Sequence, residues 1–276
     1  MIKILNIIIS FFYFFFVITP TPVISQNDAF KKIEIGKKAR IHLSEVIKFK
    51  TISYQNRAQF DGKQFLQLHD FLKESYPNVH KILKREIISD YSLLYTWRGK
   101  QPNLKPILLI AHIDVVPIEA GTKSKWTYPP FDGAMEYPYA WGRGTLDDKS
   151  SLIAILEAVE FLLNDNFVPH RTIYLAFGHD QEIGGKQGAG KISKKLQSVH
   201  PVSILKKGRI KGGIEFILDE GLFITEGIFP EIKEPIALIG TAEKGYLTLE
   251  LKVDDPDLGG HASMPPQQTA IGILSS

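Results

Sequence analysis

The 276-residue chain contains no cysteine. That absence excludes a disulfide-stapled scaffold, an iron–sulfur protein, a thiolate-ligated zinc site and a thiol nucleophile. Charge of one sign is also scarce: 33 Lys and Arg stand against 30 Asp and Glu, a formal +3, and no basic run of five or more occurs. Such a balance gives no footprint for nucleic acid, which is not expected as a partner. Internal repeats and low-complexity linkers are missing as well. What is present, 44% hydrophobic and 23% charged residues, is the composition of a folded globular protein. The length accommodates one large domain or two small ones.

Residues 1–25 are a different kind of sequence. Lys3 is their only charge, residues 4–18 are almost wholly apolar with six Phe or Tyr rings, and Thr-Pro-Thr-Pro follows. Val23 and Ser25 stand at the minus-three and minus-one positions of a cleavage before Gln26. A charged start, an apolar stretch and a small residue at the cut read as a secretory signal. The alternative is an uncleaved membrane anchor made by residues 4–18. The expected location is therefore secreted, periplasmic or vacuolar and lumenal, with membrane contact only if the segment is retained. An exported fold without cysteine must be held by its core or by metal.

Beyond residue 26 the hydrophobic pattern alternates between two periods. Apolar residues at three- and four-residue spacing predict helices over 27–50, 62–76, 149–163 and 186–197, and shorter apolar runs predict strands over 92–98, 106–110, 172–177 and 213–218. Strands separated by helices argue for an α/β layered domain with a largely parallel sheet. The runs at 107–110 and 216–218 have the composition of central strands covered on both faces. Near Ile239 the character changes. Residues 246–253 alternate as a half-exposed strand, an Asp-Pro-Asp-Leu-Gly-Gly turn follows, and a helix begins at Gln267. About 35 residues of this kind cannot bury a core of their own, so a second domain begun and unfinished, or an appendage on the first, is expected.

Four acidic or imidazole clusters stand out. His112-Ile-Asp114, His179-Asp180-Gln181-Glu182 and Asp219-Glu220 each follow an apolar strand, and Asp147-Asp148-Lys149 leads into a helix. Ligands of open α/β sheets bind beyond the carboxyl ends of strands, so these clusters converge on one site if the sheet is as expected. Imidazole and carboxylates without thiolate make a nitrogen-and-oxygen site suited to zinc, cobalt or manganese. Residues i and i+2 of an extended chain point the same way, which lets Asp114 orient the His112 imidazole. Taken singly, each cluster also reads as a capped turn, a helix start or a solvated strand end.

The motifs Ala-His112-Ile-Asp114-Val-Val-Pro, Trp-Gly-Arg-Gly-Thr-Leu-Asp147-Asp148-Lys149, Phe-Gly-His-Asp-Gln181-Glu182-Ile-Gly-Gly, Ile-Leu-Asp219-Glu-Gly and Gly-Gly-His261-Ala-Ser-Met-Pro-Pro occur in this order. The set resembles the dinuclear zinc peptidases of metallopeptidase family 20, and within them the carboxypeptidase S-like branch. The resemblance covers roughly residues 38–276. It implies an α/β catalytic domain over 26–240, three layers with helices on both faces of the sheet, and the beginning of an α+β lid and dimerisation domain over 241–276. Two zinc ions are implied, with cobalt or manganese as alternatives. Asp147 would bridge them, His112 and Asp219 would complete one shell, and Glu182 would bind the second ion, whose terminal histidine would come from a segment beyond Ser276. Asp114 would orient His112. His261 would reach a substrate carbonyl, in a homodimer across the subunit boundary.

The implied reaction is hydrolysis of a peptide or N-acyl-amino-acid amide bond, with a glutamate taking the proton of the attacking water. Here Gln181 occupies the position of that base, and an amide cannot accept a proton at neutral pH. Metal binding with little turnover is therefore expected. The alternatives are a non-catalytic zinc- and peptide-binding relative and a truncated, inactive product.

Overall fold

The structure, a computed structural model, describes residues 26–204, 210–221, 224–242, 249–253, 267 and 269–275. The 1–25 segment and His261 lie outside the described residues, as do residues 246–248 of the strand expected over 246–253; its described part, 249–253, is not a strand. The described residues fall into two compact units, one ending at Glu220 and one beginning at Gly221.

The first unit opens with three helices, α1 (Gln26–Lys48), α2 (Gly62–Ser75) and α3 (Pro77–Ile82). Asp61 starts α2 by accepting from the Lys63 amide, and Pro77 starts α3, where its missing N–H costs nothing. Strands β1 (Lys84–Ile88) and β2 (Ser92–Trp97) follow as a hairpin, then β3 (Ile107–His112). A small hairpin of β4 (Met135–Glu136) and β5 (Tyr139–Ala140) precedes the apolar helix α4 (Lys149–Asn164). Strand β6 (Ile173–Gly178), helix α5 (Ala189–Val199), the short pair β7 (Val202–Ile204) and β8 (Ile210–Gly212), and β9 (Ile217–Leu218) complete the unit. The second unit holds the two-stranded pair β10 (Ile224–Thr225) and β11 (Ile236–Ala237), and α6 (Ala270–Ser275), the helix expected from Gln267 onward.

The main sheet has the order β1-β2-β6-β3-β9. Pairings β6–β3 and β3–β9 are parallel, whereas β1–β2 and β2–β6 are antiparallel, so the sheet is mixed and less parallel than the alternation of elements suggests. The reason is β1. Its Lys-Arg-Glu-Ile-Ile sequence does not read as a strand, but charge is what an unpaired sheet edge needs, and a turn with Ser89 and Asp90 at positive φ folds it back on β2. At the other edge, β9 corrects a second expectation. Phe216, Ile217 and Leu218 are all more than half exposed, at 52–57%, so this run forms an edge strand and not a covered central one.

The period-2 alternation of the central strands divides the core between the two faces of the sheet. Leu93, Tyr95, Trp97, Leu175 and Phe177 point toward α1–α4 and join Val46, Phe65, Leu68, Leu72, Leu152 and Leu156 in the larger cluster. Leu94, Leu108, Tyr174 and Ala176 point the other way and pack on Ile192 and Leu196 of α5. Helices thus cover both faces, as an α/β catalytic domain requires.

His69 adds a pH dependence to this core. It is buried on α2, its Nε2 donates to the Tyr91 carbonyl at 2.8 Å, and among the described residues its Nδ1 has no partner. Burial, opposed only in part by the Tyr91 bond, pushes its pKa from 6.5 down to about 4. The fold therefore favours neutral imidazole. The stability it carries is complete above pH 6.5 and is lost as pH falls from 6.5 through 4, an effect of about 3 kcal/mol. In urea titrations across that range, His69→Leu is expected to flatten the acid loss of stability by about that amount. An unchanged slope would place the acid sensitivity elsewhere.

Candidate metal centre

The sheet brings the sequence clusters together because three parallel strands run in the same direction toward one end of the sheet. His112 at the end of β3 lies opposite Gly178 at the end of β6, and Leu109 lies opposite Leu218 of β9. The segments leaving these ends carry Asp114, Asp180–Glu182 and Asp219–Glu220. The loop before α4 supplies Asp147 to the same place, joined to Asp148 by a cis peptide bond.

His112 is the centre of the group, only 2% exposed. Its Nδ1 lies 3.0 Å from the Asp114 carbonyl oxygen and 3.3 Å from the Asp114 carboxylate; its Nε2 lies 2.8 Å from Asp147 Oδ1 and 3.5 Å from Glu220 Oε2. Donor atoms of His112, Asp147 and Glu220 all fall within 4.8 Å of one another. Burial alone would lower the imidazole pKa, yet hydrogen bonds and charge from Asp114 and Glu220 push it up to about 11. The His112 bond in turn holds Glu220 below the usual carboxylate range, against its burial. Glu182 is raised, first by burial and then by the charge of Asp147. Carboxylates packed this closely favour a positive charge among them, and the imidazole proton supplies one.

Asp114 does more than orient a ring. It is fully buried, accepts from Ser53 Oγ at 2.6 Å, and accepts from the Gln181 and Glu182 amides at 3.1 Å each. One carboxylate therefore fixes His112 and the backbone carrying Gln181 and Glu182. Asp180 fixes the rest of that loop, accepting from the Gln187 and Gly188 amides at 2.8 and 2.7 Å. The backbone then turns at Gly184, whose φ of +97° suits glycine. Residues 181–183 make one 3-10 turn, the chain reverses at Gly184, and α5 starts only at Ala189, later than its sequence pattern suggests.

Of the residues singled out in the sequence, His112 and Asp147 meet directly, Asp114 sits behind them, and Glu182 and Gln181 are tied to Asp114. The carboxylate that reaches His112 belongs to Glu220; the neighbouring Asp219 accepts from the Glu220 amide at 2.9 Å. His179 faces inward, bonded to Ser92 Oγ at 2.7 Å and surrounded by Phe60, Phe65 and Tyr91. Asp148 is the N-cap residue of α4 without a side-chain cap bond; its carboxylate accepts from the His112 amide at 3.2 Å, and burial foremost pushes its pKa up to about 6.

Lys149 is a residue that sequence reading passed over. Its fully buried ammonium donates to the Val46 and Phe49 carbonyls at 2.8 and 2.7 Å, bolting the end of α1 to the Asp147 loop, and burial brings its pKa down to about 7. A lysine at the first position of a helix opposes the helix dipole, and that misfit is the trace it leaves in the sequence.

Residues 108–265 match the family model described as Peptidase family M20/M25/M40. The Dictyostelium discoideum protein named "Probable carboxypeptidase S-like 2" is 48% identical over 84% of this chain and 43% of its own length. The Xenopus tropicalis N-fatty-acyl-amino acid synthase/hydrolase PM20D1 is 40% identical over 88% of this chain and 45% of its own length. Human carnosine dipeptidase 1 shares the fold, with a TM-score of 0.55 at 15% identity over 72% of this chain and 41% of that one. The chain thus spans about half the length of the curated relatives it matches. With its motifs placed around one buried histidine and its sequence matched over most of its length, the chain belongs to the M20/M25/M40 peptidases, in their carboxypeptidase S-like branch.

Proposed function

We propose that this chain carries the metal-binding half-site of a zinc-dependent amide hydrolase acting on a peptide or N-acyl-amino-acid bond. The observation that carries the reading is the convergence of His112, Asp147 and Glu220 donors within 4.8 Å at the carboxyl ends of three parallel strands. The donor set fits zinc: one imidazole whose far nitrogen is already held by a carboxylate, facing two further carboxylates. His112, Asp147 and a carboxylate of the Asp219–Glu220 pair would hold one ion, and Asp147 with Glu182 would hold a second. Zinc bound there would polarise a carbonyl and lower the pKa of water.

The chain's own residues set the rest. Asp114 accepts from Nδ1 of His112, which turns Nε2 toward Asp147 and Glu220 as the ligand atom. Gln181 stands beside Glu182 with its side chain exposed, on a turn whose amides Asp114 fixes. Its amide holds water by a hydrogen bond and takes no proton from it. Proton transfer is the step this chain performs worst, so Gln181 favours a protein that binds metal and substrate with slow turnover.

Zinc titrated into the metal-free protein against a chromophoric chelator tests the site. Saturable binding is expected, with proton release into weakly buffered solution, because the ligand histidine coordinates only as neutral imidazole. Absence of saturable binding would overturn the reading.

A further inference from the structure

We propose that the face built from α1 and the β4–β5 hairpin docks on an anionic lipid bilayer. This face shares no residue with the His112, Asp147 and Glu220 group and goes beyond the metal chemistry. The hairpin has only two residue pairs and stands out from the unit with its tip in water: Tyr137 is 86% exposed and Tyr139 is 65% exposed. Met135 and Trp141, which flank it, are also exposed. The rings lie on both sides of the hairpin. Tyr137 faces α1, where the Arg40 guanidinium sits 5.7 Å above its ring, while Tyr139 faces Trp141 at 6.2 Å.

The helix beside it supplies charge and a further apolar side chain. Lys37, Arg40, Ile41, Ser44 and Glu45 line a cleft of about 360 Å³ closed by Met135, and Ile41 is 61% exposed. Over its length α1 carries six Lys and Arg against three Asp and Glu. On this face Glu45 is neutralised by Lys48 at 2.6 Å, which leaves Lys37, Lys38 and Arg40 set against Glu136 of the hairpin. Ser44 Oγ donates to the Gly133 carbonyl at 2.6 Å, so helix and hairpin present themselves as one piece.

Exposed tyrosine and tryptophan rings flanked by cations match the headgroup zone of a bilayer, where an amphipathic ring has an apolar and a wet neighbour at once. Cations on the same face are drawn to anionic lipid. The cations beside the exposed rings decide for an anionic lipid surface, which carries the complementary charge. In the sequence, only residues 19–25 separate the apolar run 4–18 from α1. A run inserted in a bilayer would therefore hold the cationic helix close to that surface.

The test is sedimentation of the full chain with vesicles of phosphatidylcholine, with and without phosphatidylserine. Partition onto serine-containing vesicles is expected to fall about twentyfold in the double variant Lys37→Glu with Arg40→Glu, and to weaken with salt. The variant Tyr137→Ser with Tyr139→Ser is expected to lose several-fold on the same vesicles. Brominated lipid is expected to quench a tryptophan component that Trp141→Phe removes, a readout independent of tethering by residues 4–18. Equal partition of all variants with no quenching would overturn the proposal and leave residues 4–18 as the sole membrane contact. Indifference to vesicles, together with a dimer that the charge variant dissociates, would overturn it in favour of a second copy of the chain.

Discussion

Gln181→Glu is expected to raise turnover of dipeptides and N-acyl-amino acids by the zinc-loaded protein about 10²–10⁴-fold, the usual contribution of a placed general base. The substitution exchanges one amide group for a carboxylate of the same length. Its backbone consequences are small, because the bond that fixes this position runs from the residue 181 amide nitrogen to Asp114 Oδ1 and involves no side-chain atom of Gln181. Its electrostatic consequences are large. The new carboxylate would join Asp147, Glu182 and Glu220, a field in which Glu182 is already raised by burial and by Asp147. A carboxylate raised toward neutrality is a better proton acceptor at working pH. The check is kcat for both variants at measured zinc content, with Gln181→Met as a further comparison that holds no water. A rate unmoved by the glutamate at equal zinc content would show that this position does not limit the reaction.

Asp114→Ala is expected to lower zinc affinity about 10–100-fold, as removing the partner of a ligand histidine does, and to cost about 3–5 kcal/mol of stability. The two losses share one cause. A fully buried carboxylate accepts from the Ser53 hydroxyl and from the Gln181 and Glu182 amides, and faces His112 Nδ1. Truncation strands three donors in the interior and removes the carboxylate facing Nδ1, leaving only the residue 114 carbonyl to hold the ring. Asp114→Asn separates the effects, since it keeps the shape but presents an NH2 group to some of the donors. It is expected to bind zinc more weakly than the native protein while unfolding at a urea concentration between those of the native protein and Asp114→Ala. Zinc affinity equal to the native value in Asp114→Asn would sink the orienting role.

Much of the site is legible without coordinates because its parts are local. His112 and Asp114 are two residues apart, Asp147 lies just before a helix, and the other clusters each follow an apolar run. Strand and helix periods give the α/β class in the same way, since burial on one face or one stripe is repeated within a few residues. Family motifs then give each cluster a role.

Other features become visible only when distant segments meet. Nothing near Asp114 in the chain says that its carboxylate will seat the amides of residues 181 and 182, or that Lys149 will close the end of α1. Nor does the Asp-Glu pair at 219–220 say which carboxylate reaches His112; that depends on the pairing of β9 with β3. The charged strand β1 lacks an apolar pattern because an edge needs none, and its fold-back makes the sheet mixed. The sequence by itself determined the layer architecture and the chemistry of the donors, both carried by short-range periodicity and residue type. Tertiary structure alone decided which donors converge, which carboxylate positions them, and how a helix and a hairpin far apart in the chain form one exposed face. Those outcomes depend on hydrogen bonds and packing between residues many turns of chain apart, which no local pattern records.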